Sequence, residues 1–232
     1  VQKYRDKMKI SVGQKLNFNS FENSGFDAFS SKDNVFILCD GANSCRDSGT
    51  IAREFSFFVA SNWPKNFILD ACRSEKLYAM LLTEHKKILR KTKDAATTIV
   101  GVCCLEDELE LFSVGDSFIE VFHKSNFHWK KIFSMPRDID KKGNPWQLIG
   151  SEVFTRINYQ TLSTKGSYCL FLLTDGAGNY LNDEILSNVI CSLNSEKPSS
   201  DDLDYIAHNL ALKAKKNGSS DDISVVILFC DL

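Results

Sequence analysis

Four apolar segments of this chain that have the composition of buried β-strands begin or end beside an aspartate. Asp40 follows VFILC (35–39), and Asp175 follows SYCLFLLT (167–174). Asp116 follows LELFSVG (109–115), and the pair Asp221–Asp222 stands directly before ISVVILF (223–229). Each aspartate alone is typical of a turn or a solvated strand end, because Asp and Gly favour turns. Strand ends of a packed sheet converge on one edge, however, so the set predicts a cluster of carboxylates.

Such a cluster opposes folding unless something neutralises it. Two carboxylates about 4 Å apart repel each other by about 1 kcal/mol in water and by about 4 kcal/mol at an effective dielectric constant near 20. A divalent cation reverses the sign, and oxygen-rich sites suit Mg²⁺ or Mn²⁺. A glycine follows Asp40 and another follows Asp175. Because glycine has no Cβ, a backbone carbonyl there can approach an ion closely.

Composition limits the remaining possibilities. The 232 residues are 43% hydrophobic and 25% charged, which is ordinary for one globular domain with a large core. A net charge of −2 without a Lys/Arg run gives no reason to expect a nucleic-acid partner. The sequence shows no membrane span and no signal core, so we expect a soluble, cytoplasmic protein without a membrane partner. We predict a flexible N-terminal tail over residues 1–8 and a single domain over 9–232.

The eight cysteines and four histidines do not form a recognisable metal-binding motif. No C-x-x-C and no paired Cys/His spacing occurs in the sequence. Five of the cysteines lie in apolar, strand-like segments, where free Cys packs as a small hydrophobe. We therefore expect core thiols in a reducing compartment rather than disulfides or a zinc site.

Hydrophobic periodicity predicts two blocks of strands, each accompanied by a pair of helices. The helices are predicted at 48–63, 70–91, 182–193 and after Ser199, and the residues between them, including 152–162, have strand character. An irregular loop at 135–150 contains two prolines and two glycines, so we expect a functional flap around 134–160. The pattern favours an α+β fold of two packed sheets with helices outside.

Six short segments occur in an order that resembles a known family. They are GFDAF (25–29), FILCDGANS (36–44), AATTIVGV (95–102), FSVGDS (112–117), LLTDGAGNYL (172–181) and DDISVVIL (221–228). Together they resemble the metal-dependent protein phosphatases of the type 2C class (PPM family), and the match is closer to short bacterial members than to larger eukaryotic ones. The resemblance implies a four-layer α-β-β-α sandwich with two antiparallel sheets flanked by helix pairs.

The resemblance also implies a function, a cofactor and partners. It implies a Ser/Thr protein phosphatase that hydrolyses phosphoserine and phosphothreonine with two Mn²⁺ or Mg²⁺ ions, and a third ion in many members. A water shared by the two metals would lose its proton and attack the phosphoester in line. The implied partners are a phosphorylated protein substrate and a cognate Ser/Thr kinase.

Site residues follow by position in these segments. The resemblance implies that Asp40 bridges both ions, that the Gly41 carbonyl binds one ion and that Asp175 and Asp221 bind the other. It places Asp27 behind the ions, holding metal-bound water, and Asp116 at the third ion. Asp222 stands where the family often has Asn, which favours Asp221 as the ligand. The hydroxyls expected to support these residues belong to Thr97, Thr98, Thr174 and Ser224.

Four positions depart from the family pattern. Phe26 stands where many members have Glu and others have Gln, and Ala42 stands where eukaryotic members have His. Phe118 replaces the Arg that commonly follows Gly-Asp-Ser. The phosphate-binding Arg upstream of GFDAF has only Lys15 as a weak counterpart, because an ammonium is a point charge and not a bidentate fork. Two alternatives therefore stay open: a weak or inactive pseudophosphatase that acts as a protein-binding module, and a hydrolase of small phosphoesters.

Overall fold

Ten strands and five helices make up the described part of this computed structural model. It describes residues 9–19, 25–64, 70–106, 108–125, 128–163, 165–193 and 197–231, so the predicted tail at 1–8 lies outside the described residues. The strands are β1 (Lys9–Lys15), β2 (Ala28–Lys32), β3 (Val35–Cys39), β4 (Ile99–Cys104), β5 (Glu108–Val114), β6 (Phe118–Ser125), β7 (His128–Ser134), β8 (Asn158–Ser163), β9 (Ser167–Leu173) and β10 (Val225–Asp231). The helices are α1 (Ser48–Asn62), α2 (Asp70–Lys91), α3 (Asp175–Gly178), α4 (Asp183–Cys191) and α5 (Ser200–Lys216).

The strands form two antiparallel sheets of five strands each. The first has the order β1-β10-β9-β6-β7 and the second the order β2-β3-β4-β5-β8. All named strand pairs are antiparallel, including Ile227 opposite Phe171 in the first sheet and Ile37 opposite Gly101 in the second. The chain crosses between sheets repeatedly, so that each sheet combines distant parts of the sequence.

Three hydrophobic clusters correspond to the three interfaces of a four-layer sandwich. One lies between the sheets and contains Phe36, Leu38, Val100, Leu170 and Leu228. The other two bury the outer faces of the sheets, one beneath α1 and α2 and one beneath α4 and α5. Because successive side chains of a strand point to opposite faces, a strand buried on both faces is apolar throughout, as VFILC in β3 is. The predicted α-β-β-α sandwich is confirmed.

The structure corrects two local predictions. The strand expected over 152–162 begins only at Asn158. Before it, the Thr155 amide donates to Gln147 Oε1 at 3.1 Å, and the Phe154 ring packs 5.2 Å from the His85 ring. The residues before β8 therefore make their contacts with a neighbouring loop and with α2 instead of pairing with a strand. The second correction is α3, a short helix that starts at Asp175 where a turn was expected.

No helix among the described residues is long and apolar enough to cross a membrane.

Candidate metal centre

Four aspartates from four strand ends line one cavity at one end of the sandwich. Asp40 follows β3, Asp116 lies in the turn between β5 and β6, Asp175 opens α3 after β9, and Asp221 precedes β10. The cavity has a volume of about 150 Å³ and is lined in addition by Ala42, Asn43, Thr98, Pro145 and Leu148. The structure therefore brings together the four carboxylates on which the sequence prediction rested.

The backbone around Asp40 is held by the two threonines that precede β4. The Thr98 amide and the Thr97 hydroxyl both donate to the Asp40 carbonyl at 2.9 Å. In return, the Asp40 amide donates to Thr98 Oγ1 at 3.2 Å. These contacts continue the sheet past the last residue of β3. Asp40 is therefore fixed by the sheet and not by a free turn.

Gly41 is required by close packing. A Cβ at this position would lie 2.8 Å from the Phe26 carbonyl oxygen and 3.0 Å from the backbone of Ser48. The Gly41 amide donates to that Phe26 carbonyl at 3.3 Å, while no amide of a described residue donates to the Gly41 carbonyl itself. That oxygen keeps both lone pairs for another ligand.

Asp27 lies behind this cavity in a fully enclosed position. Its side chain is 3% exposed, and Asp27 Oδ2 accepts a hydrogen bond from Ser224 Oγ at 2.6 Å. Its other oxygen, Oδ1, is buried and has no hydrogen-bond partner. Asn17 fixes the Asp27 backbone by donating to its carbonyl and accepting from its amide, both at 3.0 Å. An enclosed carboxylate oxygen without a donor favours a proton or a cation.

Burial, together with the neighbouring negative charges, raises the pKa values of these aspartates. Burial, followed by the charges of Asp27 and Asp175, raises the pKa of Asp40 well above its ordinary value. Burial raises the pKa of Asp27 to about 7, against the opposing hydrogen bond from Ser224. Burial and the charge of Asp175 raise the pKa of Asp116 to about 6, and burial and the charge of Asp221 raise that of Asp175. Without a cation, the cluster holds protons near neutral pH.

The donor set fits a pair of hard divalent cations. Asp40, Asp116, Asp175 and Asp221 line one cavity, and their neighbouring negative charges favour a bound proton or cation. Within the described ranges, however, no three His, Cys, Asp or Glu side chains are gathered into a ready-made coordination shell. The residues that would hold ions are Asp40, Asp175 and Asp221, with the Gly41 carbonyl, and Asp116 for a third ion.

Asp221 and Asp222 have different surroundings. Asp221 lines the cavity, and its Oδ1 accepts from Asn43 Nδ2 at 2.5 Å and from the Asp222 amide at 2.8 Å. Asp222 Oδ2 instead accepts from the Phe26 amide at 3.0 Å. Phe26 thus anchors the loop through its backbone, and its ring packs against Gly49 at the start of α1. The cavity lining favours Asp221 as the ligand of the pair.

Lys15 is not gathered into the cavity. Its Nζ lies 5.5 Å from the centroid of the Phe18 ring, and Lys215 lies over the same ring at 5.6 Å. Neither lysine is among the residues that line the cavity. Binding of phosphate by Lys15 stays a prediction.

The stretch MPRDID (135–140) contains two candidate functional residues that the sequence did not predict. The Arg137 guanidinium stacks over the Phe118 ring, with its carbon 4.1 Å from the ring centroid. Asp138 is fully buried and accepts from the Gly115 amide at 3.2 Å and from Gln147 Nε2 at 2.8 Å. The only signal in the sequence is a pair of adjacent charges in an apolar context, which is also typical of any exposed loop.

Comparison with solved structures identifies proteins that share this architecture. A serine/threonine phosphatase from S. agalactiae superposes with a TM-score of 0.74 at 21% identity, covering 95% of this chain and 98% of that one. The catalytic domain of the serine/threonine protein phosphatase PstP, in complex with two manganese ions, gives a TM-score of 0.72 at 13% identity, covering 97% and 100%. Stp1 from Staphylococcus aureus gives a TM-score of 0.71 at 14% identity, covering 97% and 95%.

The chain has the type 2C phosphatase fold. No protein-family model matches the sequence, and no curated protein matches it. At identities this low the likeness establishes the architecture alone. The case for an activity therefore depends on the aspartates of this chain.

Proposed function

We propose that this chain is a Mn²⁺- or Mg²⁺-dependent phosphatase that hydrolyses phosphoserine and phosphothreonine in proteins. The observation that carries the proposal is a cavity lined by the four carboxylates of Asp40, Asp116, Asp175 and Asp221. The solved proteins with this fold are serine/threonine phosphatases, and one of them holds two manganese ions. Both facts support the same chemistry. The substrate would be a phosphorylated protein, and a Ser/Thr kinase would be its counterpart.

The residues of the cavity would have different roles in this reaction. Asp40 would serve both ions, the Gly41 carbonyl would bind one of them, and Asp175 and Asp221 would bind the other. Bound divalent ions supply a water-derived nucleophile at neutral pH and neutralise phosphoryl charge. The buried Asp27 would accept a proton or orient water through Oδ1, because that atom has no other partner.

No side chain is needed as a covalent nucleophile. Burial raises the pKa of the thiols of Cys39 and Cys169, so neither is a thiolate at neutral pH. The Ser224 hydroxyl is already engaged, since it donates to Asp27. With Ala42 in the cavity wall in place of a titratable side chain, solvent would protonate the leaving group.

A metal-dependence assay tests this proposal. Purified protein should hydrolyse an aryl phosphate and a phosphothreonine peptide with Mn²⁺ and not with EDTA. Asp40→Asn and Asp175→Asn should each lose about 100-fold or more, since each removes a charged ligand. Asp201→Asn, an exposed change on α5, should stay within about twofold of wild type.

The same assay separates the two alternatives. Binding of two ions by calorimetry without turnover of any phosphoester would establish a pseudophosphatase. Turnover of nucleotides or sugar phosphates but not of phosphopeptides would establish a small-molecule hydrolase. Equal activity of Asp40→Asn and wild type would refute the proposed site.

A further inference from the structure

A groove lies directly beside the metal centre. Its volume is about 540 Å³. The two sites share two short pieces of chain: α3 begins at Asp175 in the cavity and ends at Gly178 in the groove, and Asp116 of the cavity is two residues from Phe118 of the groove. Two Cα steps of about 3.8 Å each limit that separation to about 8 Å. A chain bound at the metal centre can therefore continue into the groove.

The lining of the groove suits an extended peptide. The hydrophobic part consists of Phe118, Leu181 and Ile185, and the exposed edge carries the amides of Asn179, Asn182 and Asn217. Each amide makes one hydrogen bond within the protein, Asn179 with Arg137, Asn182 with Ile185 and Asn217 with Tyr180. Each keeps further donor and acceptor capacity for a peptide backbone. Of the described residues that line the groove, Arg137 alone carries a charge.

Arg137 is held in place by its neighbours. Its guanidinium lies over one side of the Phe118 ring, and Gly178 packs so closely against that ring that a Cβ there would collide with it. Arg137 Nη1 donates to Asn179 Oδ1 at 3.3 Å, which leaves other guanidinium N–H groups for a ligand. A stacked and hydrogen-bonded guanidinium loses little further freedom on binding.

We propose that this groove binds the polypeptide flanking the phosphoresidue, and that Arg137 pairs there with an acidic side chain of the substrate. The inference rests on the proposed phosphatase function and adds a substrate preference to it. An extended peptide advances about 3.3 to 3.6 Å per residue, so residues two to four positions from the phosphothreonine lie about 7 to 14 Å from it, and we expect the acidic residue in this range. The complementary charge of the groove favours Asp or Glu over Lys or Arg.

The closing experiment compares peptides on the same enzyme. Three phosphothreonine peptides carry acidic, neutral or basic residues at positions two to four from the phosphothreonine, and kcat/KM is measured for each with Mn²⁺. Wild type should favour the acidic peptide over the neutral one by about threefold or more, as expected of a partly exposed ion pair. Arg137→Glu should invert the preference toward the basic peptide. Because each value is a ratio within one enzyme, any effect of Arg137 on the neighbouring aspartates cancels.

Lys142→Ala is the matched control, because it removes one exposed cation of the same loop outside the groove. It should keep the wild-type order of peptides. An aryl phosphate, which has no flanking chain, reports the proposed phosphatase function separately. Equal ratios of acidic to neutral peptide in wild type, Arg137→Glu and Lys142→Ala would overturn the inference even if aryl phosphate is hydrolysed.

A binding measurement keeps the inference testable if no turnover occurs. Fluorescence anisotropy with labelled, unphosphorylated acidic and neutral peptides reports the groove alone. The acidic peptide should bind wild type at least about threefold more tightly than it binds Arg137→Glu. Equal affinities for the two proteins would refute the role of Arg137.

Discussion

Asp138 and Gly115 are joined by two hydrogen bonds, which connect the loop after β7 to the turn between β5 and β6. The Asp138 amide donates to the Gly115 carbonyl at 2.8 Å, and the Gly115 amide donates to Asp138 Oδ2 at 3.2 Å. Gly115 has a φ of +94° and immediately precedes Asp116 of the candidate metal centre. The loop after β7 therefore sets the position of a carboxylate that belongs to another hairpin.

We predict that Asp138→Ala destabilises the protein by about 3 to 5 kcal/mol. The change leaves the Gly115 amide and Gln147 Nε2 without their acceptor in a buried place. Urea denaturation measures the loss. Asp140→Asn on the same loop keeps its exposed acceptor oxygen and should stay within about 0.5 kcal/mol of wild type. Equal stability of the two variants would contradict the role assigned to Asp138.

The aspartates of the cavity could be found from the sequence, whereas the residues around them could not. Asp40, Asp116, Asp175 and Asp221 each adjoin an apolar strand, and that local pattern survives folding. Arg137 and Asp138 have no such pattern, because their partners Phe118 and Gly115 are about 20 residues away and meet them only through the pairing of β6 with β7.

A second limit of prediction from the sequence concerns backbone geometry. Residues 95–98 have the apolar, β-branched composition of a strand, and β4 nevertheless starts at Ile99. Thr97 makes isolated bridges to Gly41 on one side and to Ile149 on the other. Local composition identified a buried extended segment and could not reveal that its partners are two loops.

The metal-free protein should become less stable as the pH rises from 5 to 7.5. Asp116 and Asp27 have folded-state pKa values of about 6 and about 7, above the ordinary 3.8 expected for the unfolded chain. The folded state therefore binds more protons than the unfolded state in this range, and its stability is lost as those protons leave. The expected decrease is about 2 to 4 kcal/mol, measured by urea denaturation in EDTA.

Saturating Mn²⁺ should remove or reverse this pH dependence, since ionised carboxylates bind the metal. His85, whose pKa burial lowers, contributes with the opposite sign. Its contribution cancels when wild type is compared with Asp116→Asn, which should show a smaller decrease. A pH profile unaffected by both Mn²⁺ and Asp116→Asn would argue against mutual repulsion among the aspartates.

Ser224→Ala should weaken both stability and metal binding. Ser224 Oγ donates to Asp27 Oδ2 at 2.6 Å and accepts from the Asn17 amide at 3.0 Å, so it joins the end of β1 to Asp27. Losing the hydroxyl leaves both partners unsatisfied and should cost about 1 to 3 kcal/mol in the free energy of unfolding. Affinity for Mn²⁺ by calorimetry should decrease by about tenfold. Ser192→Ala, which removes an exposed hydroxyl, should change neither quantity.

Gly176→Ala should separate Asp175 from Asp221. A Cβ at Gly176 would overlap the carbonyl oxygen of Asp222, and a backbone atom cannot yield as the end of a flexible side chain can. The loop before β10 must then move away from α3. We expect destabilisation of about 3 kcal/mol or more and a loss of Mn²⁺ affinity, both measured as for Ser224→Ala.

Gly143→Ala separates this collision from backbone strain. Gly143 has a φ of +87°, and a Cβ added there would meet no atom within 4 Å, so alanine at this position encounters strain alone. That strain costs about 1 to 2 kcal/mol and should leave Mn²⁺ affinity unchanged. Equal Mn²⁺ affinities of Gly176→Ala and Gly143→Ala would contradict this account. The close contact between Gly176 and Asp222 would then not be needed to keep Asp175 near Asp221.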